Sequence, residues 1–274
     1  MPSLPFSELA GLALALAAVG CLSGFLAGLL GIGGGIVVVP ALYFVLSAFG
    51  IAPEVQPHVA VGTSLATIIP TSILSMRTHS AKGAVDTDLL RRWAVWIAVG
   101  VLAGIAIAAS VKGAVLTAIF AVVAAIVSAH MALTPEGTHL LAELPKTPIL
   151  QLIGVGIGGL STLMGIGGGT LSVPVLSLCN YPTRRAVGTA SVIGLIIAVP
   201  GTLGFIWSGW RASGLPPWSL GYVWLIGFAL IVPSSILFAP WGARTAHSIN
   251  VYWLRKAFAL FLGLTAAKML YAAL

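Results

Sequence analysis

Gly31-Ile32-Gly33-Gly34-Gly35 interrupts an apolar stretch, continues through Ile36, Val37, Val38 and Val39, and reaches Pro40. The pattern returns 134 residues later as Gly165-Ile166-Gly167-Gly168-Gly169, followed by Thr170, Leu171, Ser172, Val173 and Pro174. Each half of the 274-residue chain holds one copy. Glycine costs about 1 kcal/mol per residue in a helix relative to alanine. Two such runs inside apolar sequence therefore predict two broken helices, and their duplication predicts that the breaks build one site.

The surroundings of the runs set the solvent. The chain is 59% hydrophobic and 7% charged. Segments of about 20 mainly apolar residues, enough to cross a bilayer core, recur along it. A polytopic membrane protein follows, and a large soluble domain has no room. The first lysine or arginine is Arg77, so no basic residue precedes the first apolar stretch as in a signal peptide. The net charge of +7 is scattered over short loops and is not a nucleic-acid footprint. The six acids, Glu8, Glu54, Asp86, Asp88, Glu136 and Glu143, fall at a terminus or in expected loops.

In order, the first half gives Glu8 to Leu30, the glycine run, Ile36 to Phe49, a connection Gly50 to His58 with two prolines, and Val59 to Met76. A polar loop, Arg77 to Arg92, precedes Trp93 to Ser110 and Ala114 to Leu133. Residues 134–148 form a proline-containing linker between a first repeat, 1–133, and a second, 149–274. The second repeat runs Ile149 to Met164, the second glycine run, Thr170 to Leu178, a turn with Arg184 and Arg185, Ala186 to Trp207, Leu220 to Ala239, and Val251 to Leu274. Ala60-Val61-Gly62-Thr63 recurs as Ala186-Val187-Gly188-Thr189. Gly104, Phe120 and Met131 align without gaps on Gly242, Phe258 and Met269.

Lysine and arginine favour cytoplasmic loops. That rule puts the loops with Arg77 to Arg92, Arg184 and Arg185, and Arg244 inside. The loops with Lys112 and Arg211 fall outside, and both termini are expected on the outer face. Corresponding loops of the halves then lie on opposite sides, as in inverted-topology repeats. The expected fold is an all-α polytopic membrane protein with two such repeats. Each repeat has a glycine-broken, re-entrant helix pair and three further membrane helices, about 8–10 membrane segments in all.

Consecutive glycines can turn their N–H groups into one concavity, an anion-binding nest. A helix start directly after each run adds a positive dipole end. The expected anion site comprises Gly31, Gly33, Gly34, Gly35, Gly165, Gly167, Gly168 and Gly169. The hydroxyls of Thr63, Ser64, Thr170, Thr189 and Ser191 assist, and Pro40 and Pro174 shape the short helices. Close helix packing is the competing explanation of the glycines. A phosphate loop is not, because the runs lack its lysine and its βαβ context.

Cys21 and Cys179 lie in apolar sequence and are expected to be buried and inert. The histidines, His58, His79, His130, His139 and His247, are expected at the periphery. The tryptophans near segment ends, Trp93 among them, are expected to form an interfacial belt. No cluster of His, Asp, Glu or Cys gathers at membrane depth, so no enzyme, metal or cofactor is expected.

The paired Gly-x-Gly-Gly-Gly motifs, each followed by a proline and by Ala-Val-Gly-Thr, resemble the sulfite exporter TauE/SafE family of bacterial membrane permeases. The resemblance covers Ser7 to Leu274 and includes Pro240, Trp241 and Gly242, with Leu102 departing from that proline in the first half. It implies export of sulfite or a small organosulfur anion such as a sulfonate across the bacterial inner membrane, and the paired glycine site leads us to expect alternating access around it. The partners it implies are that anion and the bilayer. A channel, an importer and a homodimer are alternatives that sequence leaves open.

Overall fold

In the computed structural model, residues 6–30, 34–134, 139–245 and 251–273 are described. The apolar stretches are helices, and the glycine runs part them. The first half gives α1 (Phe6–Leu30), α2 (Gly35–Ala48), α3 (Gln56–Ala81), α4 (Thr87–Ser110) and α5 (Gly113–Leu133). The second gives α6 (Ile149–Met164), α7 (Gly168–Leu178), α8 (Thr183–Ser208), α9 (Leu225–Thr245) and α10 (Val251–Ala273). An antiparallel ribbon, β1 (Ser219–Leu220) and β2 (Val223–Trp224), leads into α9. Among the described residues, six helices are long and apolar enough to span a membrane, and α2, α6 and α7 are shorter apolar helices. The protein is an all-α polytopic membrane protein.

Several boundaries differ from the sequence expectation, each for a local reason. Pro57 does not stop a helix. It sits in the first turn of α3, where its missing N–H is no loss. The α4 helix starts six residues before Trp93, because the Asp86 side chain caps it, accepting from the Asp88 and Leu89 amides at 3.0 Å each. The final residues of both glycine runs are helical, and Pro40 and Pro174 lie inside α2 and α7.

Packing partners follow the duplication. The α1 helix packs along α9, and its counterpart α6 packs along α4. The α3 helix packs on α8 and α5 on α10, while α2 lies against α3 as α7 lies against α8. Exchanging the halves maps these partners onto themselves. Backbones approach closely at the matched interfaces. A β-carbon on Gly100 would meet the Val155 carbonyl oxygen at 2.1 Å, and one on Gly24 would meet that of Ser235 at 2.1 Å. Small residues at such contacts are how membrane helices gain dispersion contact.

The connections gather at two ends of the bundle. At one, the Lys112–Gly113 turn sits against Glu54 and Pro57, and Gly214 lies beside Ala52. At the other, Ala84 sits against Gly188, Arg184 Nη2 donates to the Lys82 carbonyl at 3.4 Å, and the Leu140 amide donates to the carbonyl of Leu178, the last residue of α7. The start of α6 is also at the Lys82 end, since Trp93 Nε1 near the start of α4 donates to the Leu150 carbonyl at 2.6 Å. Trp93 is therefore fully buried and belongs to no interfacial belt. The expected positions of Met1 and Leu274 lie outside the described residues.

Candidate functional site

The second glycine run turns on Gly165. This residue ends α6 in the left-handed region, with φ 65° and ψ 32°. Its amide donates back to Thr162 O at 3.2 Å, and the next amide donates to Ser161 O at 3.0 Å. Glycine adopts this conformation at no steric cost. Gly167 then caps the start of α7 with extended backbone.

The first run meets the second here. A β-carbon on Gly35, the first residue of α2, would stand 2.8 Å from Gly165 O and 3.0 Å from Ile166 Cα. Gly165 O also accepts the Ser64 hydroxyl of α3 at 2.7 Å. Gly31 and Gly33 lie outside the described residues.

Both runs border one cavity of about 490 Å³. Gly34 and Gly35 line it from the first run, and Gly167, Gly168 and Gly169 from the second. Gly35 in the first turn of α2 and Gly168 and Gly169 in that of α7 belong to this wall, where helix geometry leaves amides without an i−4 carbonyl; the Val37 and Thr170 amides donate instead to Gly34 O and Gly167 O. The cavity then follows α3 past Thr67, Thr71, Ser75 and Thr78 to His79. The eleven helical steps from Thr67 to Thr78 cover roughly 16 Å. Gly35 and Gly168 at its inner end are buried, and Thr78 at its far end is exposed. Ser23 of α1 and Ser235 of α9 contribute to the facing wall.

No Asp, Glu, Lys or Arg is among the described lining residues, and His79 is the one titratable side chain there. The fixed polarity is therefore that of helix starts and hydroxyls, in a site where low dielectric strengthens both.

The remaining expected site residues divide. Ser191 lines the cavity, with its hydroxyl donating to Gly188 O at 2.6 Å. Thr170 is 1% exposed and is not among the lining residues. Thr63 and Thr189 are also away from the cavity and serve a different contact. Thr63 Oγ1 accepts the Trp224 amide at 2.9 Å, just before α9, and Thr189 Oγ1 accepts the Asp86 amide at 3.0 Å, just before α4. The adjoining glycines complete the pattern: a β-carbon on Gly62 would meet Tyr222 O at 2.6 Å, and one on Gly188 would meet Ala84 O at 2.4 Å. The duplicated Gly-Thr pair thus docks the segment that leads into the other half's helix.

Two histidines depart from the expected periphery. His79 lines the cavity. His58 is 6% exposed, stacks on Tyr222 with centroids 4.8 Å apart, and places Nε2 3.2 Å from Ala108 O. The α3 hydroxyls of the lining carried one signal in sequence: Thr67, Thr71, Ser75 and Thr78 recur at the three- and four-residue spacing of one helix face.

A family model described as "Sulfite exporter TauE/SafE" matches residues 16–269. A probable membrane transporter protein of Haemophilus influenzae is 33% identical over 252 residues, covering 92% of this chain and 95% of the relative. Another from Methanocaldococcus jannaschii is 28% identical over 265 residues, covering 92% and 93%. One from Bacillus subtilis is 27% identical over 213 residues, covering 71% and 78%. No solved structure matches the chain significantly.

Proposed function

The chain belongs to the sulfite exporter TauE/SafE family, and from that premise we propose that it exports sulfite or a small sulfonate by alternating access. The observation that carries this reading is the single cavity walled by both glycine runs. Helix starts from two halves border one largely apolar cavity with no lysine or arginine among its described lining residues, which suits a small anion that must be released as well as held.

The protein is a membrane transporter in its family's terms, and the finer picture is ours. The repeats are inverted in the membrane. Support comes from the connections: α6 begins and α7 ends at the Lys82 end, whereas α2 finishes toward the Lys112 end. The Lys82 end, with Arg184 and Arg185, faces the cytoplasm of an inner membrane by the positive-inside rule. The cavity, which reaches His79 at that end, then receives anion from inside. Outward movement of one negative charge is favoured by about 2.3 kcal/mol per 100 mV, inside negative.

The test is flux of labelled sulfite in proteoliposomes with an imposed potential. Saturable flux that follows the potential is expected. Unsaturable flux indicates a channel, and flux that ignores the potential but follows a pH gradient overturns the uniport.

A further inference from the structure

Resting on that reading, we propose that the cavity takes its oxyanion singly charged, so that sulfite is carried as hydrogensulfite. Two properties of the wall point there. The first is the absence of a compensating cation among the described lining residues: apart from His79, the polar groups of the wall are backbone and hydroxyls. The cost of taking an ion from water grows as the square of its charge, so a dianion costs about four times as much to bury as a monoanion. Neutral donors at helix starts offset the smaller cost and not the larger.

The second property is the direction of the hydroxyls. Thr67 Oγ1 lies 2.7 Å from Ser64 O, Thr71 Oγ1 3.0 Å from Thr67 O, and Ser191 Oγ 2.6 Å from Gly188 O. Ser23 Oγ lies 3.2 Å from Gly20 O. A carbonyl only accepts, so each of these hydroxyls donates its hydrogen to its own helix and keeps lone pairs for the cavity. Ser72, Ser75 and Ser235 also line the cavity and keep their hydrogens, so the wall mixes donors with the hydroxyl acceptors of Ser23, Thr67, Thr71 and Ser191. An oxyanion that retains an O–H satisfies both sets, with its charged oxygens on the donors and its proton on a hydroxyl oxygen. A dianion satisfies the donors alone and faces those lone pairs. The retained proton also fits the absence of a carboxylate among the described lining residues: the substrate carries its own.

His79 is the titratable group that competes as a source of pH dependence. It stands at the far end of the cavity beside Lys82 and Arg184. The experiment separates the two. Initial uptake of labelled sulfite is measured in proteoliposomes at zero potential, with equal pH on both sides, through sulfite's second dissociation. Methanesulfonate serves as the permanent monoanion and sulfate as the permanent dianion, in the wild type and in His79→Gln.

At subsaturating total sulfite, uptake is expected to fall about tenfold per pH unit above that dissociation, following the hydrogensulfite fraction. Methanesulfonate uptake stays level, sulfate neither enters nor competes, and His79→Gln keeps the sulfite profile. Sulfite uptake that holds or rises with pH overturns the proposal. So does sulfate competing as well as methanesulfonate, or a methanesulfonate profile that falls in parallel and is flattened by His79→Gln. Absence of saturable uptake of sulfite and methanesulfonate at every pH overturns instead the transport reading beneath it.

Discussion

The two glycine runs touch: a β-carbon on Gly35 would stand 2.8 Å from the carbonyl oxygen of Gly165. Packing and ligand access therefore act on different glycines of one motif, and substitution separates them. At Gly168 an added methyl meets Ile193 Cγ2 at 2.5 Å and the Gly194 amide nitrogen at 2.8 Å. Gly35→Ala and Gly168→Ala are expected to cost folded protein, seen as lost monodisperse yield and a lower Tm in detergent. Gly167 is the informative position. Its φ of −73° and ψ of 164° suit alanine, and the nearest atom to a new β-carbon is Ile68 Cγ2 at 3.6 Å. Gly167→Ala is expected to keep the Tm and to weaken sulfite binding roughly tenfold, about 1.4 kcal/mol, by holding the anion off the α7 amides. Unchanged affinity in well-folded Gly167→Ala assigns this glycine to packing.

Thr63 and Thr189 make matched hydrogen bonds to backbone amides that stand just before α9 and α4. Valine keeps the shape and removes the acceptor, which leaves the buried Trp224 N–H unsatisfied at a cost of about 1–3 kcal/mol and the part-buried Asp86 N–H at the low end of that range. Thr63→Val and Thr189→Val are expected to lower stability by that order and to leave sulfite affinity near wild type. The two sites share no partner, so the double variant is expected to be additive. Binding isotherms and thermal melts on the same preparations check both statements.

These threonines show where sequence reading stops. The duplicated glycines, the segment lengths and the close agreement at α6 and α7 were legible, because they depend on local composition and repeat spacing. The docking of Thr63 on Trp224 was not, since its partner is a backbone amide 161 residues away. The same holds for His58, buried by Tyr222 from the other half, and for Trp93, buried where α4 meets Leu150. Their aromatic character suited a membrane interface, and only the contact between halves decides otherwise. The α3 hydroxyl row was visible as a spacing, but its role depends on α1, α8 and α9 leaving a space beside it.

Asp86 joins the halves at the Lys82 end. The Tyr181 hydroxyl donates to its Oδ2, the Leu89 and Asp88 amides donate to Oδ1, and Arg185 lies 3.6 Å away. The Tyr181 hydrogen bond foremost, then the amides and the Arg185 charge, hold its carboxyl below the ordinary carboxylate range. A depressed folded value contributes stability that is present above the unfolded pKa of about 3.9 and is lost as pH falls through the folded value. Tyr181→Phe removes the foremost cause and raises the folded value toward the unfolded one. The linked contribution is then lost near neutrality, where Asp86 is ionised in both states, and the difference from wild type is expected to close as pH falls through the folded value, which leaves a shallower acid limb. A scan of Tm against pH for wild type and Tyr181→Phe checks it. A Tm difference that is the same at every pH shows that Asp86 does not carry the effect.

The cavity reaches one end of the bundle along α3, and this predicts sided accessibility. From Gln56 to Ile68 that helix is buried, whereas Ser75 is partly exposed and lines the cavity. Ala60, at 0% exposure, lies on the part of α3 toward Gly50. In a background with Cys21 and Cys179 replaced, Ser75→Cys is expected to react with a negatively charged thiol reagent added from the Lys82 side and not from the other. Ala60→Cys is expected to resist from both sides, because a thiol there meets neither water nor the dielectric that favours its thiolate. Saturating sulfite is expected to slow labelling of Ser75→Cys, since anion in the cavity excludes reagent of the same charge. Labelling of Ser75→Cys from the Lys112 side alone assigns the opposite orientation to the bundle. Labelling of Ala60→Cys at a comparable rate shows that the closed half of α3 opens without substrate, which removes the basis for an inward-facing resting state.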